Sequence, residues 1–317
     1  MKLVLRSLLV NTAAVLLLSQ FVSAQSEDDR QRVRTVSIPI SIFTKEELKE
    51  GQAEELLQVG NLALKENGRE QTILSIRSRT DVPLSLAVLI QDDLTSDFNL
   101  QIKDLRDFIR SLPKGSRVMV AYLRSGSPEI RQKFTEDLAK AAQSFRIVVS
   151  DPSAAPRTPW DGVSDILGRF DALPYGRRAI LLISNGLDLS SGLLGSSPGQ
   201  SQALQSAILK AQRKSVAVFS IYSSAVSSSG TPSIGSLNGQ GSLAVIADET
   251  GGRTFALGSI TPVSFEPFLR QLNVLIARQF LLTYATDNMR KGYYKVEVKS
   301  TNPEVKIEHP RGYYYRP

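Results

Sequence analysis

The sequence has no cysteine, one histidine (His309) and one tryptophan (Trp160), and each scarcity removes a class of function. Without thiols there is no disulfide, no thiolate metal site, no cysteine nucleophile and no lipid-bearing N-terminal cysteine. With one histidine, any Ser–His–Asp hydrolase would have to be built around "EHPRG", near the end of the chain. Beyond the first residues, no stretch reaches the about 20 apolar residues of a membrane span. Neither sign of charge dominates: 38 Lys and Arg stand against 31 Asp and Glu, a formal net charge of +7. Lys2 and Arg6 supply two of those positives at the N-terminus, so +5 remains for the rest. The basic groups "RQR" and "RSLPKGSR" are small and scattered, as solvated turns are, which speaks against nucleic acid as a partner.

What is present begins with a leader. Residues 1–24 carry Lys2 and Arg6, an apolar run interrupted by Asn11, Ser19 and Gln20, and the small-residue end "VSA". This predicts a secretory signal peptide cleaved before Gln25 and an exported protein of the periplasm, cell surface or extracellular space, without stable membrane insertion. Residues 25–32 ("QSEDDRQR") are charged and without apolar periodicity, and are expected to form a flexible tether. Residues 33–81 predict a β-rich module. Val33, Val36, Ile38, Ile40 and Ile42 alternate with polar residues, and Asn67-Gly68 sits between two alternating runs as a hairpin turn.

From residue 82 to 278 continuous apolar strands alternate with amphipathic helices, the pattern of an α/β domain whose sheet is covered on both faces. Strands are expected at "LSLAVLIQD", "RVMVAYLR", "EIRQKF", "AILLISNG", "SVAVFSIYS" and "TFALG". The short "RSGSP" link makes the second and third an antiparallel hairpin in an otherwise parallel sheet. Residues 279–317 return to alternating strands, which cannot bury a core alone and are expected to pack with the N-terminal module. "GTPSIGSLNGQG" reads as a mobile loop, and Arg177 and Arg178 as solvated.

Several stretches together resemble the von Willebrand factor type A (VWA) domain, and in particular the VWA-related secreted proteins of acidobacteria. They are "PLSLAVLIQDD", "FTEDLAKAAQSFR", "LISNGLD", "AQRKSVAVFSIY" and "LAVIADETGGRTF", in that order, between an "ENGREQTI" module and a "GYYKVEVKS…RGYYYRP" tail. The resemblance implies a doubly wound, Rossmann-like six-stranded sheet in the order 3-2-1-4-5-6. It also implies protein binding or adhesion at the carboxyl ends of the strands. Independently, open α/β sheets bind ligands where the strand order reverses, which places "QDDLTSD" and "SNGLD" together.

The family's metal-ion-dependent adhesion site takes an Asp-x-Ser-x-Ser loop, a Thr from a second loop and an Asp after the fourth strand. Magnesium is suited by such carboxylates, hydroxyls and waters, with a position left for a partner's acidic side chain. Here the candidates are Asp92, Asp93, Thr95, Ser96, Thr158, Asn185 and Asp188. In one register Gln91 stands where the Asp belongs; in the other, Leu94 takes a ligand position. Asn185 replaces the last Asp, and Thr158 before Pro159 equally suits a helix cap. The expectation is a degenerate site that holds Mg2+ or another divalent cation weakly, or one in which Asp92 and Asp93 cap the next helix and bond loop amides.

Other motifs fail on context. "GSSPG" has the Gly-x-Ser-x-Gly form around Ser197, but lies within a loop instead of between a strand and a helix. Trp160 is expected in the core. These residues predict a non-catalytic, exported module whose crest loops bind a protein partner. The competing readings are a structural envelope component assembling through its β flanks, and a hydrolase.

Overall fold

In the computed structural model, the described residues are 33–50, 62–78, 82–125, 127–174, 176–193, 195–226, 233–258 and 261–316. The expected signal peptide and tether lie outside them. The chain divides into a small unit, residues 1–34 with 287–289, and a large one, residues 35–286 with 290–317. In the small unit, Arg34 Nε donates to the Asn288 carbonyl at 2.6 Å.

The large unit is built on a six-stranded sheet. Its strands are β5 (Leu84–Gln91), β6 (Arg117–Leu123), β7 (Glu129–Thr135), β8 (Arg177–Ser184), β9 (Val216–Tyr222) and β10 (Thr254–Phe255). They lie in the order β10-β9-β8-β5-β6-β7, all parallel except β7, which returns beside β6. Counted from β5 this is the order 3-2-1-4-5-6, with the reversal between β5 and β8. Every residue of β5 is buried, because helices cover both faces. One face packs on α2 (Ile102–Ser111), α3 (Leu138–Gln143) and α7 (Glu266–Ala277) through Leu86, Val88 and Ile90. The other packs on α4 (Pro159–Arg169), α5 (Gln202–Arg213) and α6 (Ser233–Thr250) through Ala87 and Leu89.

The remaining strands are β1 (Arg34–Thr44), β2 (Leu62–Glu66), β3 (Arg69–Glu70), β4 (Ile73–Arg77), β11 (Gln279–Thr286), β12 (Gly292–Ser300), β13 (Val305–Glu308) and β14 (Gly312–Tyr315). They interleave the two ends of the sequence, as β13-β1-β11-β4 in one sheet and β14-β12-β2-β3 in the other. Both contribute to one apolar cluster, in which Ile38, Ile40 and Ile42 of β1 meet Leu64, Val296 and Val298. The Asn67-Gly68 turn has positive φ at both residues, 48° and 81°, as a two-residue hairpin requires. Its return strand β3 is short, and β4 crosses instead to β11. Glu66 is fully buried between the sheets and accepts hydrogen bonds from Tyr284 Oη and Thr286 Oγ1 of β11 and Tyr313 Oη of β14.

Three local expectations change. A helix, α1 (Lys45–Glu50), follows β1 inside the expected β module, opened by a capping box: Thr44 N–H donates to Glu47 and Glu47 N–H to Thr44 Oγ1. Residues 233–241 of the expected mobile loop form the first turns of α6, where Gly235, Gly239 and Ser242 recur on the buried face. Those glycines permit close packing, not disorder. Arg177 is buried instead of solvated: it donates to the Val82 carbonyl at 2.9 Å and to Ile276 at 2.8 Å, supplying donors to the end of α7.

Glu47 also takes a buried ion pair with Arg278, at the end of α7, with Nε at 2.9 Å. Removing one partner of such a pair costs about 3–5 kcal/mol, because the other charge stays buried. Arg278→Ala should therefore lower the urea midpoint strongly, while the exposed Arg270→Ala, which breaks a surface pair with Glu266, should change it little.

Candidate functional site

β5 ends in Gln91, where the sheet order reverses, and the amide of Gln91 spans the gap to β8. Its Oε1 accepts from Ser184 Oγ at 2.5 Å and from the Asn185 N–H at 3.2 Å. Its Nε2 donates to Asp93 Oδ1 at 2.8 Å. A neutral amide thus satisfies both strand ends at a buried position where an unpaired carboxylate would be costly.

Asp92 points elsewhere. It is 2% exposed, and Arg146 grips it with two parallel bonds, Nη1 to Oδ1 at 2.7 Å and Nη2 to Oδ2 at 2.9 Å. Arg124 Nε adds a contact at 3.3 Å. Glu129, at the start of β7, receives Arg146 Nη2 at 2.9 Å, Arg124 at 3.2 Å and Arg131 at 3.1 Å. The Arg146 guanidinium lies 4.0 Å from the Tyr122 ring centre, and the Tyr122 hydroxyl donates to the Arg146 carbonyl and accepts its N–H. Burial pushes the Tyr122 phenol up to about 12. Hydrogen bonding to Asp92 raises the Arg146 pKa, and hydrogen bonding from Arg146 lowers that of Glu129.

Leu94 is fully buried in the core, which excludes it as a ligand. It forms an antiparallel bridge with Ala225; Thr95 N–H donates to the Ser224 carbonyl and Val226 N–H to the Asp93 carbonyl. β8 lies between β5 and β9, so this pairing closes over its end. The short helical turn from Ser96 begins after Thr95, whose side chain makes no capping bond. Asp92, one of the two expected caps, is drawn instead to Arg146, and Asp93 accepts the Gln91 amide. Ser96 is exposed.

The second and fourth-strand loops are equally committed. Thr158 Oγ1 accepts the Trp160 N–H at 3.3 Å as the cap of α4, and Trp160 is fully buried. Asn185 Oδ1 accepts the Leu187 N–H at 3.1 Å. Asp188 accepts the Ser190 N–H at 2.9 Å and the hydroxyl of Ser201, the cap of α5. Gly186 has φ of +69°, and its neighbour Asn185 is crossed closely by α6: a Cβ on Gly239 would fall 2.1 Å from the Asn185 carbonyl oxygen.

The donor set does not fit a resident divalent ion of the adhesion-site type. A carboxamide replaces the first carboxylate, two guanidiniums occupy Asp92, the Gln91 amide occupies Asp93, and Thr158, Asn185 and Asp188 hold backbone N–H groups. Among the described residues, no group of three or more His, Asp and Glu is placed to hold a metal. A cavity of about 740 Å3 lies at the opposite edge, and its six charged side chains pair off as Arg253–Glu308, Arg311–Asp248 and Lys295–Glu297. His309 is fixed in the β flank, with Nε2 accepting the Val298 N–H at 3.3 Å.

Two measurements check this construction. Gly239→Ala improves helix propensity by about 1 kcal/mol but drives a methyl into backbone. A net loss of about 1–3 kcal/mol is expected by chemical denaturation, with little change for Gly199→Ala, whose Cβ would meet nothing within 4 Å. The folded pKa of Glu129 lies below its ordinary 4.5, so its contribution is complete above that pH and is lost as pH falls through the folded value. Glu129→Gln should flatten the acid side of the stability curve below that pH and leave its shape near neutrality unchanged.

No family model matches the chain, and no curated protein matches it. Solved structures do. An aerotolerance-related membrane protein from Bacteroides fragilis, carrying multiple mutations to serine, is 10% identical, with 62% of this chain and 98% of that one covered and a TM-score of 0.41. The VWA domain of SpRpn10 is 12% identical, over 61% and 94% of the two chains, with a TM-score of 0.39. Manganese-loaded TRAP of Plasmodium vivax is 11% identical, over 78% and 97%, also with a TM-score of 0.39. The strand order of the chain itself, with its one antiparallel edge and its reversal between β5 and β8, is that of a von Willebrand factor A fold.

Proposed function

We infer that the chain is an exported, non-catalytic protein-interaction module of the VWA type, whose partner binds the crest at the carboxyl ends of β5, β8 and β9. The observation that carries this is the commitment of the crest's polar side chains to holding loops. Gln91, Asp92, Thr158, Asn185, Asp188 and Ser201 each bond loop or strand-end groups, which presents a rigid surface and reduces the ordering cost of association. Against a Ser–His hydrolase, His309 accepts a backbone N–H, and Ser197 lies at a bend instead of between a strand and a helix. Any divalent cation would bind weakly, in competition with Arg146 for Asp92. Export rests on the leader read from residues 1–24.

The second reading, assembly through the β flanks, is favoured by Leu74, half exposed on the edge strand β4. Affinity capture from envelope extract separates the two. Capture should fail for at least one aspartate variant on the crest, Leu189→Asp or Ile147→Asp, survive Leu74→Asp in the flank, and be unaffected by chelator. The opposite pattern of variants would move the function to the flanks, and loss on chelation would establish a metal-dependent contact.

A further inference from the structure

Four aliphatic side chains at one corner of the crest point into solvent. Leu100, Ile147, Val149 and Val263 are 65% to 90% exposed. Three loops carry them, and two side-chain amides bind those loops together. Asn99 takes both backbone groups of Val148, donating to its carbonyl at 3.3 Å and accepting its N–H at 2.8 Å. Gln101 donates to the Val263 carbonyl at 2.9 Å and accepts the Phe265 N–H at 2.9 Å. Val148 is buried between Ile147 and Val149, so alternation turns those two outward together. Leu100 lies between the two clamping amides, so the four share one neighbourhood. Aliphatic side chains gathered this way on rigid loops mark an interaction surface, not a scattered exposure.

The patch is continuous with charge. Arg146 precedes Ile147, and its guanidinium belongs to the Arg124, Arg131 and Arg146 cluster. Three guanidiniums there face two carboxylates, Asp92 and Glu129, and Asp92 is buried. Arg124 and Arg131 are 46% and 44% exposed, so guanidinium donors are accessible from solvent at this edge of the patch. We propose that this corner is the docking surface for a protein segment in which acidic residues flank aliphatic or aromatic ones. The apolar side chains would cover Leu100, Ile147, Val149 and Val263, while the carboxylates meet Arg124 and Arg131. The proposal rests on the interaction-module reading and names the partner chemistry of that crest.

Charge selects among occupants. In a two-fold pairing through this corner, a second copy would oppose the same guanidiniums. Asp97 and Asp151, exposed on the loops that border the patch, oppose a uniformly anionic lipid surface, whereas a peptide segment can place its carboxylates at Arg124 and Arg131 alone. An acidic–apolar peptide satisfies both the patch and the cluster.

The test is selection of a displayed random-peptide library on the full chain, followed by titration of the selected peptides. Sequences with Asp or Glu beside Leu, Ile, Val or Phe should be enriched, and their binding should weaken with salt. Ile147→Asp and the Arg124→Glu/Arg131→Glu pair should each weaken it by about tenfold or more, the effect of losing a central contact. Leu189→Asp, elsewhere on the crest, should leave it unchanged, and circular dichroism should show all variants folded. Binding lost in Leu189→Asp but retained in Ile147→Asp would overturn this surface while leaving the crest reading intact. Failure to select any peptide, selection of peptides without acid, self-association by sedimentation, or binding of phosphatidylglycerol vesicles in their place would also overturn it.

Discussion

A carboxylate buried at the end of a central strand must be paired, and the crest is arranged around the way Asp92 is paired. Its partner, Arg146, comes from the segment after α3, 54 positions along the chain. To reach Asp92 the guanidinium crosses the Tyr122 ring and enlists Glu129, while the backbone of Arg146 is held by the Tyr122 hydroxyl. One ion pair therefore fixes the β5 loop, the β6–β7 hairpin and the loop beyond α3 in a single geometry. Without the Arg146 guanidinium the buried carboxylate would keep only Arg124, a longer contact at 3.3 Å from a half-exposed side chain, so the pairing favours this one arrangement of the corner.

The same pairing changes what the crest can do. Where the VWA resemblance implies carboxylates around a cation, this chain places a carboxamide at Gln91 and a cation of its own at Arg146. The protein supplies the positive charge covalently. It also closes the crevice, because Leu94 enters the core and its loop pairs with the segment after β9. What remains outside is a firm platform of loops, with aliphatic side chains beside half-exposed arginines.

Much of the fold was legible from residue pattern. The continuous apolar runs at β5, β8 and β9 require a sheet buried on both faces, and "RSGSP" is too short for anything but a hairpin. Thr158-Pro159 marked a helix start, and Trp160 beside it is buried as expected. What the pattern hid was tertiary in origin. The glycines of "GTPSIGSLNGQG" suggest flexibility locally, but Gly239 is small because the Asn185 backbone passes against it. Arg177 is charged and flanked by another arginine, yet its fork is occupied by carbonyls at the end of α7. Arg146 carried no local signal of its role, since its partner is distant in sequence. Gln91 did carry one, as the residue in the place of the expected Asp, but only the structure shows its amide joining β5 to β8.

The central claim is that an arginine, not a bound ion, satisfies the acidic end of β5. A divalent-ion titration of the melting temperature tests it most directly, since a ligand that binds only the folded state must raise that temperature. The account predicts that millimolar magnesium, calcium or manganese leaves the melting temperature of the intact protein unchanged. A saturable rise in the intact protein, abolished by Asp92→Asn, would contradict it.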